Sequence, residues 1–421
     1  MRIRMIIRCV SGLLATIALA QPDSAPTARA TRIVIAAGSI FDGKGRVLHN
    51  TRIVIQGSKI SAIDPKAGPV DYDLRSLTVL PGWIDAHVHI TWSFGTDGKN
   101  AGMLRTTQEA AYQTAANAWM TLMAGFTTVQ SVGSPSDLSL RAAIAQGRLP
   151  GPRLLTAVEG LQGRGEQTGT PDEIRAFVRK QKQAGADLIK IFASGGMLQG
   201  AATLSPEQLT AACDEARKQG LRTLVHAYRD AVRPATLAGC TQIEHGLGAS
   251  DEDLKLMAEK GTYFDPQDGL LIETYLANKD KFLGTPFFNE EAFIGLAKAL
   301  PLHRELMRRA ARIPGLKIVF GTDAAPGSHG RNAEEFINRV HDGLAPLAVM
   351  VSANSLGAQA LGIADQIGTI GPGLQADIIA LDGNPLKDIT SVRRVAFVMK
   401  GGIVYKNAAR RSVADYGGIK P

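Results

Sequence analysis

Six residues have side chains that can bind metal ions or transfer protons, and each lies in or directly after a short apolar segment. They are His87, His89, Lys190, His226, His245 and Asp323. His87 and His89 are two residues apart in "DAHVHI", so on a β-strand both imidazoles point to the same face, as a metal site requires. Taken alone, the His87 and His89 pair is equally explained by one core histidine and one hydrogen-bonded partner. His226 and His245, each taken singly, are more often core histidines than ligands, and a lone Asp323 would usually be a helix cap. Together they favour a metal centre.

Lys190 interrupts the apolar run of "DLIKIF", which predicts a buried strand. A buried ammonium group costs free energy unless it is paired, neutralised or bound. Burial lowers the pKa of a lysine and so favours the neutral, nucleophilic amine. Such an amine can form a Schiff base with a carbonyl substrate, as in a lyase, but that chemistry needs no metal and leaves the four histidines unexplained. A non-enzymatic binding protein would not explain why residues that can bind metal ions stand at the ends of five predicted strands.

Between residues 83 and 367 the sequence alternates short apolar segments, which predict β-strands, with helical patterns. The predicted strands are Trp83–Ile90, Phe126–Val132, Leu154–Val158, Asp187–Ala193, Arg222–Ala227, Gln242–Gly246, Thr262–Pro266 and Lys317–Asp323. This alternation predicts an α/β fold, a (β/α)8 TIM barrel over residues 81–367. A doubly wound open sheet is less consistent, because no glycine-rich phosphate-binding turn follows the first strand.

Two helices of the predicted barrel begin with clear caps. "TPDEIRAFVRKQKQAG" places Thr170 three residues before Glu173, and "SPEQLTAACDEARKQG" places Ser205 three residues before Gln208, each with proline at the first helical position. In a barrel, functional side chains lie at the C-terminal ends of the strands. The six chemically active residues follow predicted strands 1, 4, 5, 6 and 8, so we expect them to converge at one face.

The two ends of the chain have a different pattern from the middle. Residues 31–80 and 368–421 contain short apolar runs separated by Gly, Asn and Asp turns. A small β-sandwich formed jointly by these N- and C-terminal segments explains the pattern. The overall composition, 45% hydrophobic and 20% charged, is that of a globular protein.

Residues 1–20 have the features of a cleaved signal peptide, because three arginines precede an apolar stretch that ends in "ALA". The stretch is short for a membrane anchor, so we expect a periplasmic or secreted protein without membrane attachment after cleavage. Residues 21–30 are expected to be a disordered segment that precedes the first strand. Loss of the three leader arginines lowers the formal net charge from +8 to +5. The other basic residues are scattered among acids, so no nucleic-acid partner is expected.

The remaining cysteines and histidines give weaker signals. The spacing of Cys213 and Cys240 leaves one disulfide and two buried free thiols both open. His49 and His303 have ordinary surface contexts, and His341 is expected on the solvent-facing side of a helix.

Five motifs together resemble a known family. "HVH", "LIKIFASGG", "VHAY", "IEHG" and "GTDA", in this order, look like those of the amidohydrolase superfamily. "LPGWIDAHVHI" resembles that superfamily's entry into the first barrel strand, and "ANSLGAQALGIADQIGTIGPGLQADIIALDGNP" its return to the β-sandwich. The resemblance covers nearly all of the chain after the leader. It is nearest to the branch with imidazolonepropionase-like proteins, Xaa-Pro and Xaa-Arg dipeptidases and related carboxypeptidase-type amidases.

This resemblance implies a role for each of the six residues. His87, His89 and Asp323 would bind one metal ion, His226 and His245 a second, and a carboxylated Lys190 would bridge the two. Zinc is the expected metal, because imidazole and carboxylate ligands suit it. A hydroxide bridging the ions would attack the substrate carbonyl, and Asp323 would carry the proton to the leaving amine.

The resemblance implies cleavage of an amide bond, with a dipeptide or an N-acyl amino acid as the first candidate substrate. A cyclic amide of the imidazolonepropionate kind is the second, although export argues against it. A deaminase is the third, although deaminases of this superfamily typically have sites with one metal ion and often lack the bridging lysine. The partners expected are therefore a small molecule or dipeptide, and a homo-oligomer remains open.

Three further residues are candidates for substrate binding. Tyr228 lies two residues after His226, and it would steady the oxyanion or a substrate carboxylate or simply pack at the barrel rim. Relatives often have a Gly-Gly-His-Gly loop where this chain has "LQGRGEQTG", so Arg164 would pair with a substrate carboxylate or face solvent. His329 in "PGSHGRN" would reach the substrate or hold a loop.

Overall fold

The computed structural model describes residues 31–100, 107–197 and 200–408. The predicted signal peptide and most of the C-terminal tail lie outside the described residues. Among the helices that are described, none combines the length and the apolar character that crossing a bilayer requires. The described residues from Arg32 onward belong to one compact unit, and the predicted division of them into domains stays a prediction.

Strands occupy both ends of the described chain and alternate with helices between them. The strands are β1 (Arg32–Phe41), β2 (Val47–Gln56), β3 (Lys59–Ile63), β4 (Tyr72–Pro81), β5 (Trp83–Val88), β6 (Phe126–Ser131), β7 (Arg153–Thr156), β8 (Gly160–Gln162), β9 (Leu188–Phe192), β10 (Arg222–Ala227), β11 (Gln242–His245), β12 (Tyr263–Asp265), β13 (Lys317–Ile318), β14 (Ile378–Leu381), β15 (Val395–Lys400) and β16 (Ile403–Asn407). The α-helices are α1 (Thr107–Met123), α2 (Asp137–Ala145), α3 (Pro171–Ala184), α4 (Pro206–Lys218), α5 (Val232–Leu237), α6 (Asp251–Lys260), α7 (Leu270–Ala277), α8 (Lys279–Phe282), α9 (Glu290–Ala311), α10 (Glu334–His341), α11 (Pro346–Ser352) and α12 (Ser355–Ala360). Two 3-10 helices span Arg229–Ala231 and Ile389–Arg393.

The middle of the chain forms the predicted (β/α)8 barrel. Its strands lie in two parallel sheets, one in the order β5-β6-β7 and the other in the order β13-β12-β11-β10-β9-β8. Backbone hydrogen bonds join the sheets at both seams, from Asp187 N to Thr156 O (2.8 Å) and from Ala86 N to Phe320 O (2.9 Å). All six residues of β5 are buried, because a parallel barrel strand has the core on one face and helices on the other.

All eight predicted barrel strands are present, but most are shorter than predicted. Strand β13 ends at Ile318, and Val319 N still donates to Phe264 O of β12. Beyond Val319 the chain bonds to other partners, with Phe320 N donating to Ser352 O and Asp323 N to His87 O. The short strand β8 was not predicted from the sequence. Both predicted capping boxes are confirmed. The Thr170 and Ser205 side chains accept from the backbone N–H of the third helical residue, and their own backbone N–H groups donate to the side chains of Glu173 and Gln208.

The two ends of the described chain pair in one seven-stranded sheet, in the order β16-β15-β14-β4-β1-β2-β3. The joining pair is antiparallel, with Ile378 opposite Pro81 and Leu381 opposite Thr78. The predicted β-sandwich formed by both ends of the chain is therefore present, and its strands make one continuous hydrogen-bonded sheet. Strand β4 leads directly into β5, so this sheet is attached to the barrel at the first strand that carries site residues.

His303 is a correction to the sequence analysis, because it is buried and not on the surface. The buried face of α9 includes Phe293, Leu296, Ala299, His303 and Leu306, a helical spacing that makes His303 part of the core stripe. Burial lowers the pKa of His303 to about 4, so its ring is neutral near pH 7. His341, as expected, is exposed on α10.

Cys213 of α4 and Cys240, just before β11, form a disulfide with a Cα–Cα distance of 5.2 Å. The alternative of two buried free thiols is therefore wrong. The covalent link connects α4 to the entry of β11, the strand that carries His245.

We expect the double substitution Cys213→Ala and Cys240→Ala to lower the free energy of unfolding by roughly 3 kcal/mol, because the bond closes a loop of 27 residues. Urea unfolding with and without a reductant measures this. The reductant should shift the wild-type midpoint and leave the double variant unchanged. Equal midpoints for wild type and double variant would show that the bond adds no stability.

Candidate active site

The structure brings the six residues together at one end of the barrel. His87 lies in β5 with His89 just beyond it, Lys190 in β9, His226 in β10, and His245 ends β11. Asp323 lies on the segment that follows β13. His245 and Asp323 have φ values of 64° and 51°. This left-handed conformation is uncommon for residues other than glycine, and it turns the chain sharply just where each strand segment ends.

His87, His89 and Asp323 form the first cluster. Asp323 Oδ1 lies 3.0 Å from His89 Nε2 and 3.4 Å from His87 Nε2. Lys190 Nζ lies 3.3 Å from the same His87 nitrogen, and its side chain is only 1% exposed. One carboxylate, two imidazoles and one amine therefore face a common point.

His226 and His245 form the second cluster, with His226 Nδ1 2.9 Å from His245 Nε2. His226 Nε2 lies 3.2 Å from Gly195 O and donates to it, so His226 Nδ1 carries the lone pair. The His245 ring centroid is 5.8 Å from that of His87. The two clusters are thus neighbours, with Lys190 on the side of the first.

Burial sets the charge state of these groups. Burial, together with the neighbouring Lys190 ammonium, lowers the pKa of His87 and of His226 to about 3. Burial also lowers the pKa of Lys190 to about 8, against the opposing effect of Glu244 and Asp323. Burial raises the pKa of Asp323, but His87 and His89 outweigh it and hold that pKa well below its usual range. Neutral imidazoles and an ionised carboxylate are the forms that bind metals.

The arrangement fits a metal cation. His87 Nδ1 lies 2.6 Å from Glu244 Oε2 and 2.7 Å from Gln267 Nε2. With the ring proton on Nδ1 and donated to the Glu244 carboxylate, the lone pair of His87 Nε2 faces the Asp323 carboxylate. Two electron-pair donors facing each other are stabilised by a cation between them. The ligand atoms of His87, His89 and Asp323 all lie within 4.8 Å of one another, and imidazole with carboxylate is a donor set for divalent ions such as zinc.

Buried acids beneath the site support it, and the sequence analysis missed them. Glu244 fixes the tautomer of His87, and Gln267 Nε2 donates to both Glu244 (2.7 Å) and Asp265 (3.0 Å). Asp85 accepts from Thr322 Oγ1 at 2.7 Å, which ties β5 to the segment that carries Asp323. Asp85 interrupts an apolar strand as Lys190 does, and that signal could have found it. Glu244 lies in β11, where only Ile243 is apolar, so the same signal is absent there.

Arg339 anchors this layer from α10. Its guanidinium is fully buried and donates to Asp265 Oδ1 (2.7 Å), Glu335 Oε1 (2.9 Å) and the carbonyls of Val319 and Gly321. These contacts link the end of β12, the segment after β13, and α10. No feature of the sequence near Arg339 indicates this role.

A cavity of about 1140 Å³ opens above the two clusters. His226, His245 and Asp323 reach it, and Trp92, Tyr228 and Tyr275 also line it. Tyr228 stacks on His245 with ring centroids 4.9 Å apart, and Trp92 stacks on His89 at 3.7 Å. Burial raises the pKa of Tyr228 well above its ordinary value, so this residue stays a phenol that can donate a hydrogen bond.

Arg164 and His329 are not brought to the cavity, as far as the described lining shows. Arg164 is exposed on the loop after β8, and its backbone N–H donates to Thr168 Oγ1. His329 is buried, and its Nε2 donates to Trp92 O at 3.1 Å. Burial lowers the pKa of His329 to about 4. Arg164 is thus a solvent-facing loop residue and His329 makes a loop hydrogen bond, and a substrate-binding role for either stays a prediction.

Comparisons with known proteins agree with this geometry. The chain matches the sequence model described as "Amidohydrolase family" over residues 78–404. It is 28% identical to ochratoxinase of Aspergillus niger over 91% of this chain and 88% of that protein. It is 25% identical to imidazolonepropionase of Geobacillus kaustophilus over 80% and 82%. The crystal structure of a Xaa-Pro dipeptidase with bound methionine in its active site superposes with a TM-score of 0.81 and 32% identity, covering 90% of this chain and 100% of that one.

Proposed function

Because the chain belongs to the amidohydrolase family and is a metal-dependent hydrolase acting on C–N bonds, we propose that it cleaves the amide bond of a dipeptide or an N-acyl amino acid. One observation carries the proposal. Two clusters of metal-binding side chains lie side by side, with Lys190 next to them, and an open cavity large enough for a dipeptide lies above them.

Two divalent ions would be held by this chain's own residues. His87, His89 and Asp323 would bind one ion, His226 and His245 the other, and Lys190 carboxylated by CO2 would bridge them. Zinc is the proposed metal. The pKa of Lys190, lowered by burial to about 8, supports the carboxylation. At pH 7 about a tenth of such lysines are neutral and able to react with CO2, against far fewer for an ordinary lysine.

When bound, the ions would polarise the scissile carbonyl and make water a nucleophile near neutral pH. The protein residues act around that chemistry. The Asp323 carboxylate would take the proton of the attacking water and return it to the leaving amine. Glu244 keeps the His87 Nδ1 proton in place, so that Nε2 stays free to bind. The Tyr228 hydroxyl would donate to an oxygen of the substrate.

The names of relatives support a dipeptide or related amide, since one solved neighbour is a Xaa-Pro dipeptidase. A cyclic amide of the imidazolonepropionate kind is the second candidate, because an imidazolonepropionase also matches most of the chain. The cavity volume, about 1140 Å³, is slightly above the usual range for small-molecule pockets. A small cyclic amide would leave much of it unfilled, so the linear substrate is favoured.

A screen of dipeptides and N-acyl amino acids against zinc-loaded protein, read by release of amine, tests this proposal. We expect hydrolysis of at least one linear amide, loss of activity on chelation and recovery when zinc is restored. Hydrolysis of imidazolonepropionate alone, or full activity after complete removal of metal, would overturn it.

We expect Tyr228→Phe to lower kcat/KM by about 10- to 100-fold with the metal content unchanged, because one donor to a substrate oxygen is lost. A fall in kcat would assign the hydroxyl to the developing oxyanion, and a rise in KM to a ground-state carboxylate. Steady-state kinetics and metal analysis of both proteins measure this. Unchanged kcat/KM would show that Tyr228 only packs against His245.

We propose that the protein is exported to the periplasm or outside the cell, with residues 1–20 as the cleaved leader. The Cys213–Cys240 disulfide supports this, because such bonds persist in oxidising compartments. Fractionation of producing cells with N-terminal sequencing of the recovered protein tests it. Cytoplasmic protein that begins at Met1 would contradict it.

A further inference from the structure

Phe287 lies at the mouth of the cavity, where both its exposed side chain and its backbone conformation are unfavourable. Its side chain is 95% exposed although it is a large apolar group, and it lines the cavity. Its φ of 72° lies in the left-handed region, which is strained for a bulky residue. Strain of this kind persists only where the surrounding structure holds it, and it is common at ligand-binding positions.

The loop that carries Phe287 is firmly held. Gly284 N donates to Phe288 O (2.8 Å) and Phe288 N donates to Thr285 O (3.0 Å). The Phe288 ring packs 4.9 Å from both Phe282 and Tyr275, measured between centroids. The outward position of Phe287 is therefore imposed by a packed aromatic cluster under the loop.

The cavity wall around Phe287 suits an apolar group. Trp92, Leu271 and Leu296 face the same space. Among the described residues that line the cavity there is no lysine or arginine, and Glu291 lies at its rim. An acidic substrate side chain would find no cation there, whereas a large apolar one would cover exposed hydrocarbon.

We propose that Phe287 determines substrate specificity by packing against a large apolar side chain of the substrate. The inference rests on the proposed function and names its preferred substrates, amides of amino acids with aromatic or branched aliphatic side chains. When a substrate side chain covers the Phe287 ring, it removes the contact of that apolar ring with water that is unfavourable in the free protein.

The test compares zinc-loaded wild type with Phe287→Ala on N-acetyl-phenylalanine, N-acetyl-leucine and N-acetylglycine. We expect the substitution to lower kcat/KM for the first two by about 10-fold, mainly through KM, and to leave the glycine compound within about two-fold. Phe287→Leu should retain most of the preference. Ile294→Ala is the matched control, because Ile294 lies on α9 close in sequence and is 56% exposed but does not line the cavity. It should leave all three substrates unchanged.

A second measurement does not depend on turnover. Free phenylalanine and free glycine are titrated into the zinc-loaded proteins, with tryptophan fluorescence as the readout because Trp92 lines the cavity. Phenylalanine should bind wild type about 10-fold more tightly than Phe287→Ala. An equal affinity in both proteins, or an equal fall in kcat/KM for all three substrates, would overturn the inference and leave the proposed function standing. Absence of any amine release from any linear amide would overturn the proposed function, and the titration would still decide whether Phe287 contacts the apolar group.

Discussion

Lys190→Ala should lower kcat on the order of 10³-fold or more and reduce the bound zinc to one equivalent or less per chain. Lys190 Nζ lies 3.3 Å from His87 Nε2 and is almost fully buried, so no other side chain can take its place without rearrangement. If carboxylated Lys190 bridges the ions, its loss removes a ligand from both at once. Metal analysis and steady-state kinetics on the same preparations measure the two effects.

Two controls make this prediction specific. Lys218→Ala removes an exposed lysine of α4 and should change neither quantity. Short carboxylic acids should partly restore the activity of Lys190→Ala, because an external carboxylate can occupy the space of the carbamate. Full activity or full metal content in the variant without such addition would reject the bridging role.

Arg339→Met should lower the free energy of unfolding by about 3–5 kcal/mol. The substitution leaves the buried carboxylates of Asp265 and Glu335 and two backbone carbonyls without their shared donor, and uncompensated buried charge is costly. Urea unfolding followed by circular dichroism measures the change. If the variant does not accumulate in folded form, Arg339→Lys supplies the measurement, with a smaller loss because the charge remains while the fork of donors is lost.

The matched control is Arg312→Met, at the exposed C-terminal end of α9. It makes the same chemical change at the surface and should alter stability by no more than about 0.5 kcal/mol. Equal stability of Arg339→Met and wild type would show that the buried network contributes nothing net.

Local patterns of apolar residues, turn residues and helix caps were sufficient to predict the barrel. Each strand is a short apolar run with turn residues at its ends, and each capping box lies within four consecutive residues, so neighbouring side chains determine these features. The ends of the strands were less predictable. Strand β13 stops at Ile318, and from Phe320 onward the chain bonds to other segments, such as Ser352, which no local pattern encodes.

The errors and omissions concern contacts between distant segments. His303 was predicted to be a surface residue, but it lies on the side of α9 that packs against the core. Cys213 and Cys240 are 27 residues apart, and spacing alone leaves their pairing open. Arg339 donates a hydrogen bond to Asp265, which lies 74 positions earlier in the sequence. Only the packed chain brings such groups within hydrogen-bonding distance.

The sequence by itself determined which residues could do chemistry and that they would meet. Lysine, histidine and aspartate at the ends of parallel strands must gather at one face of a barrel, because the strands share a direction. The tertiary structure decided how they meet: which nitrogen of His87 is free, which carboxylate it faces, and which aromatic residues stand over the cavity. Those features depend on distances set by the packing of the whole chain, and on the burial that lowers the pKa of Lys190 to about 8 and so raises its neutral fraction.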